Sequence, residues 1–152
     1  MTKTDGRAPH VLLIEAPYYT HIAALLREGA ERALAAVGAT FETIEVPGAF
    51  EIPGAIGMAA KASIFDGFVA LGCVIRGETS HYDHICESTA DALQRLAIDH
   101  GLPIGYGILT CENEAQALVR ATPGGNGRDK GGEAVNACLA MVAVKRRFAE
   151  DR

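Results

Sequence analysis

The segment Leu71 to Asp83, LGCVIRGETSHYD, sets a histidine shortly after a run of apolar residues. Read as a buried strand, a loop and a helix start, it puts His81 in a first helical turn. There the positive end of the helix dipole disfavours imidazolium and keeps the ring neutral near pH 7. A neutral imidazole can accept a proton and return it. A histidine at this place can equally be a simple hydrogen bonder, and the residue type alone leaves both readings open. The same turn brings Gly77, which permits close backbone approach, next to the hydroxyls of Thr79 and Ser80, a combination suited to phosphate.

Other candidates are scattered along the chain. Tyr18 and Tyr19 follow the first apolar run and can stack on a planar ring or pack as a rim. Glu51 follows VPGAF at a helix start, where a carboxylate is favoured with or without a ligand, and it could grip the hydroxyls of a polyol. Arg120, near the end of a short helix, and Lys130, after a Gly-rich run, are each either a phosphate clamp or a solvated surface cation. His81 and His84 stand three apart with Asp83 between them, but no third ligand is placed by sequence, so no metal is expected. The Gly-rich run does not fit GxxxxGK[ST] and follows a helix, which excludes a nucleotide P-loop. Cys73, Cys86, Cys111 and Cys138 lie at spacings unlike a zinc or redox pair and are expected as buried, reduced thiols.

A chain of 152 residues fits one domain with a real core. The expected organisation is a flexible N-terminal segment over 1–9 and a single domain over 10–152. A net charge of -5 leaves no broad basic surface for a nucleic-acid backbone. The polar N-terminus has no signal-peptide run and no later stretch reaches membrane-spanning length, so a cytoplasmic protein without membrane contact is expected. With 49% hydrophobic and 22% charged residues, the chain is apolar enough to bury surface against further subunits.

The elements that must position these residues alternate in type. Val11 to Ala16 reads as a central strand ended by Pro17, and Ile22, Leu25, Leu26, Gly29 and Ala33 give the next helix its inner face before Gly38, with Glu28 and Arg32 paired outside. Thr40 to Val46 suits an edge strand. Glu51 to Ser63 reads as a helix with Pro53 in its first turn, Gly67 to Ile75 as a central strand, and Ser80 as the cap of a helix ending before Gly101. Pro103 to Thr110 is a fourth strand and Asn113 to Ala121 a short helix. Thr122 to Gly132 reads as a flexible connection and Glu133 to Phe148 as a closing helix with neighbours on more than one face. With right-handed crossovers and an edge-like second strand, the expected fold class is α/β: a flavodoxin-like three-layer sandwich with a four-stranded parallel sheet of order 2-1-3-4 and helices on both faces. Its switch point, between strands one and three, directs attention to Pro17–Thr20, Pro47–Glu51 and Arg76–Asp83.

Taken together, VPGAFEIP (46–53), LGCVIRGETSHYD (71–83), GILTCEN (107–113) and DKGGEA (129–134) resemble the lumazine synthase family in order and spacing, with similarity from about Val11 to Phe148. The resemblance implies a transferase of riboflavin biosynthesis acting without cofactor or metal. It would condense 5-amino-6-ribitylaminouracil with 3,4-dihydroxy-2-butanone 4-phosphate to 6,7-dimethyl-8-ribityllumazine. By motif position it implies that Tyr18 stacks on the pyrimidine, that Ala49, Phe50, Glu51, Cys73, Val74 and Ile75 border the substrate, and that His81 shuttles protons. Gly77, Glu78, Thr79 and Arg120 would meet phosphate, and Tyr106 and Lys130 would complete a site shared with an adjacent subunit.

The chain departs from the family's pattern in two places. Tyr18 and Tyr19 stand where phenylalanine or tryptophan followed by asparagine is common, which preserves stacking and alters a local polar contact. The segment between Arg120 and Lys130 is longer than the short form of sixty-subunit capsids, which points to a homopentamer. The competing reading is a non-catalytic flavin- or lumazine-binding paralogue. Against it, a binder needs no proton shuttle beside a phosphate anchor.

Overall fold

Side chains alternate across the sheet, as strands buried on both faces require. Val11, Leu13, Val69, Leu71, Leu109 and Cys111 join one apolar cluster, and Leu12, Ile14, Phe68, Ala70 and Ile108 join another. The computed structural model describes residues 6–77, 81–124 and 129–150. Its strands are β1 (His10–Glu15), β2 (Thr40–Glu45), β3 (Gly67–Ile75) and β4 (Ile104–Cys111), and its helices are α1 (Thr20–Ala36), α2 (Ile52–Ala60), α3 (His81–His100), α4 (Glu114–Ala121) and α5 (Lys130–Glu150). All strand pairs are parallel, in the order β2-β1-β3-β4. Helices α1, α4 and α5 cover the first cluster, and α2 and α3 the second. This is the expected flavodoxin-like sandwich. No helix among the described residues is long and apolar enough to cross a membrane.

Local chemistry explains most boundaries. At the end of α1, Gly38 takes φ +72° and Ala39 donates its N–H to the Leu34 carbonyl at 3.0 Å, closing the helix with a left-handed residue. Glu28 and Arg32 pair at 2.6 Å on its outer face. Asn113 caps α4, its Oδ1 accepting from the Gln116 N–H at 2.9 Å. The buried carboxylate of Glu15 is held by Arg27 Nη1 at 2.9 and 3.0 Å, which ties the end of β1 to α1.

Two expected boundaries are corrected. The helix expected over Glu51–Ser63 begins as a 3-10 turn at Ala49–Glu51 and runs as α2 only to Ala60. Ser63 leaves it at φ +58°, a conformation a helix cannot contain. The last helix starts at Lys130 rather than Glu133, so the DKGG glycines lie in helix rather than in a flexible connection. Asp129 caps it, Oδ1 accepting from the Gly132 N–H at 3.1 Å. Gly131 is there for closeness: a Cβ on it would overlap the Leu26 carbonyl oxygen of α1. The expected Ser80 cap of α3 lies outside the described residues.

Candidate active site

A right-handed parallel sheet sends the carboxyl ends of its strands and the amino ends of its crossover helices to one edge, with room between them where the strand order reverses. Here β1 is flanked by β2 on one side and β3 on the other. A cavity of about 670 Å³ opens at that place. The chain leaving β1 contributes Tyr18 and Tyr19, the turn before α2 contributes Gly48, Ala49, Phe50 and Glu51, the last residues of β3 contribute Cys73, Val74 and Ile75, and α3 contributes Ile85.

Its walls are mostly apolar. Tyr18 and Phe50 are largely exposed, at 75% and 60%, while Cys73, Val74 and Ile75 are half-buried beneath them. Among the described residues, Glu51 is the only carboxylate lining it. Its Oε1 lies over Gly48, where a Cβ would stand 3.3 Å away. Burial pushes the Cys73 thiol up to about 12, with Cys111 and Glu114 adding to the shift, so it stays protonated and serves as wall rather than nucleophile. Burial, with Cys73, Tyr18 and Glu114 nearby, also raises the Tyr19 hydroxyl above its ordinary range, leaving a neutral phenol. Exposed rings, one carboxylate and neutral walls suit a planar heterocycle that carries hydroxyl groups.

Beside the cavity, Arg76 follows β3 and fastens its end. Its Nε lies 3.1 Å from both carboxylate oxygens of Glu112, its guanidinium stacks 4.4 Å from the Tyr82 ring centroid, and Nη1 is 3.6 Å from Asp83. Gly77 comes next and is exposed. Glu78 and Thr79 lie outside the described residues, as does the His81 side chain, although the His81 backbone begins α3.

Eight residues singled out by the sequence thus meet in one cavity: Tyr18, Tyr19, Ala49, Phe50, Glu51, Cys73, Val74 and Ile75. Tyr106, Arg120 and Lys130 do not line it. Tyr106 is on β4, the sheet edge opposite β2, with Lys130 Nζ 5.7 Å from its ring centroid. Tyr106 also borders a separate groove with Ala90, Leu93 and Gln94 of α3. Arg120, on α4, donates to Cys111 Sγ at 3.6 Å, and among the described residues no carboxylate pairs with it. Ile85 carries no cavity signal in the sequence, because helical spacing marks only an inner face, and for Tyr19 the sequence leaves stacking and rim packing open.

The family model described as 6,7-dimethyl-8-ribityllumazine synthase matches residues 8–146. A protein of that name from Sphingopyxis alaskensis is 50% identical over 139 residues, covering 91% of this chain and 96% of the relative. One from Bartonella tribocorum is 47% identical over 153 residues, covering both chains completely. One from Novosphingobium aromaticivorans is 49% identical over 138 residues, covering 91% and 97%. Agreement of the sheet order, the cavity and near-complete matches of this depth makes one conclusion plain: the chain belongs to the 6,7-dimethyl-8-ribityllumazine synthase family.

Proposed function

We propose that this chain condenses 5-amino-6-ribitylaminouracil with 3,4-dihydroxy-2-butanone 4-phosphate to form 6,7-dimethyl-8-ribityllumazine, in the cytoplasm and as a homopentamer. The observation that carries the reading is the cavity at the β1/β3 switch point, where Tyr18 and Phe50 offer ring surfaces and Glu51 offers a carboxylate. Tyr18 stacks on the pyrimidine. Glu51 accepts from ribityl hydroxyls, and the half-buried ends of Cys73, Val74 and Ile75 hold the heterocycle against the strand end.

The 5-amino group attacks the ketone carbonyl and loses water to give an imine. Phosphate leaves by elimination, and the ribitylamino nitrogen then closes the second ring with loss of a further water. Each step moves protons, the task of His81 at the start of α3. The backbone at Gly77, Glu78 and Thr79 receives the phosphate at the helix start, and Arg120, with no carboxylate partner among the described residues, supplies its counter-charge. Tyr106, Arg120 and Lys130 lie on β4, α4 and α5 rather than in this chain's own cavity, which supports their service to the cavity of a neighbouring subunit. The exposed apolar side chains of Val119, Met141, Val144 and Phe148 support burial against further copies.

Two-substrate turnover tests the reading. Mixing both substrates with the purified protein should produce the absorbance and fluorescence of the lumazine. Tight binding of the lumazine without turnover would instead identify a non-catalytic binder.

A further inference from the structure

A ring three-quarters exposed to water ordinarily changes rotamer freely, on the picosecond to nanosecond scale. Tyr18 is 75% exposed, yet stacking requires its face to be held parallel to a ligand. Its neighbour supplies a constraint. The Tyr18 and Tyr19 ring centroids are 4.9 Å apart with their planes at 83°, an edge-to-face pair. Tyr19 packs against the apolar cluster formed with α1, α4 and α5, and it also borders the cavity. The two rings therefore differ in kind: one is free on most of its surface, and the other is rooted in the core.

We infer that Tyr19 is a positioning residue for the heterocyclic substrate: its core-anchored ring braces Tyr18 edge to face, so that Tyr18 meets the planar ring already oriented. This rests on the functional reading above and adds to it a residue that borders the cavity and acts on the pyrimidine by orienting Tyr18. The ordering cost of the platform is met on folding rather than on binding, which lowers the KM of the planar substrate. The phosphate substrate does not stack and is indifferent to the pair. The contact is ring to ring, so the Tyr19 hydroxyl is dispensable to it.

The test combines steady-state kinetics on the full chain with calorimetric titration of 6,7-dimethyl-8-ribityllumazine, for Tyr19→Leu and Tyr19→Phe. Removing the ring should raise the KM for 5-amino-6-ribitylaminouracil and the Kd for the lumazine together, on the order of 3- to 10-fold. kcat and the KM for the butanone phosphate should stay within about twofold, and Tyr19→Phe should restore most of the lost affinity. Three results would overturn the inference: unchanged affinity in Tyr19→Leu, equal damage in Tyr19→Phe, or a rise of both KM values together. Tyr19→Met gives the same reading if Tyr19→Leu fails to fold. If the parent protein turns over no substrate, the proposed reaction falls, while the lumazine titrations still decide whether Tyr19 braces Tyr18.

Discussion

At the residue scale, type and surroundings assign different work to side chains that a motif treats alike. Cys73 borders the cavity but is held as a neutral thiol, with its titration moved up to about 12. At pH 8 only about one in 10⁴ molecules carries the thiolate by that difference. Alkylation of Cys73 by iodoacetamide should therefore be negligible at pH 8 and rise tenfold with each pH unit, read by mass spectrometry of the labelled peptide. Rapid labelling at neutral pH would contradict the burial argument. His81 opens α3 after the strand that carries the cavity wall. Two reactants already inclined to condense gain most from being held together, with acid–base help adding about 10²- to 10⁴-fold. His81→Ala should lower kcat within that range and leave a measurable rate at saturating substrates.

Elements place these residues through close packing. Helix α5 lies so near its neighbours that glycine is needed on both contacts: Gly131 against α1, and Gly105 of β4 beneath Ala134, whose carbonyl a Cβ on Gly105 would strike. The helix start holding Lys130 thereby has a set distance from β4 and Tyr106. Gly131→Ala should destabilise the fold by about 2 kcal/mol or more, because overpacking outweighs the ~1 kcal/mol that alanine normally gains over glycine in a helix. A lower urea midpoint with an unchanged slope would confirm it. A midpoint equal to the parent's would mean that α1 and α5 can separate at little cost. The DKGG segment also marks where pattern reading stops. Glycines read as a loop when only sequence spacing is considered, yet these serve a helix pressed against another.

For the whole molecule, the division of candidate residues between the cavity and the β4 side carries the prediction. If each cavity is completed by a neighbouring copy, Arg120→Ala and Glu51→Gln damage different halves of the same site. Each variant alone should be impaired, Arg120→Ala chiefly in the KM for the phosphate substrate, by about 10- to 100-fold for a lost charge-assisted pair. Co-assembled, the two variants should regain activity, because some sites combine two intact halves. Sedimentation should give the mass of a pentamer. No recovery on co-assembly would place the complete site within one chain.

The sequence by itself determined the α/β class, the strand order and the identity of the cavity-lining loops. Buried parallel strands impose continuous apolar runs, crossovers have one hand, and an edge strand such as Thr40–Glu45 shows its exposure through interleaved Glu42 and Glu45. The motifs around Val46–Pro53 and Leu71–Asp83 carried the family. Only the tertiary structure decided that Tyr19 is rooted in the core while Tyr18 stands free, that Arg76 is fastened by Glu112, Asp83 and Tyr82, and that Gly131 belongs to a helix. Each of these depends on which distant segment comes to lie beside the residue. Local propensity holds no record of that, because it is set by the packing of layers across the sheet.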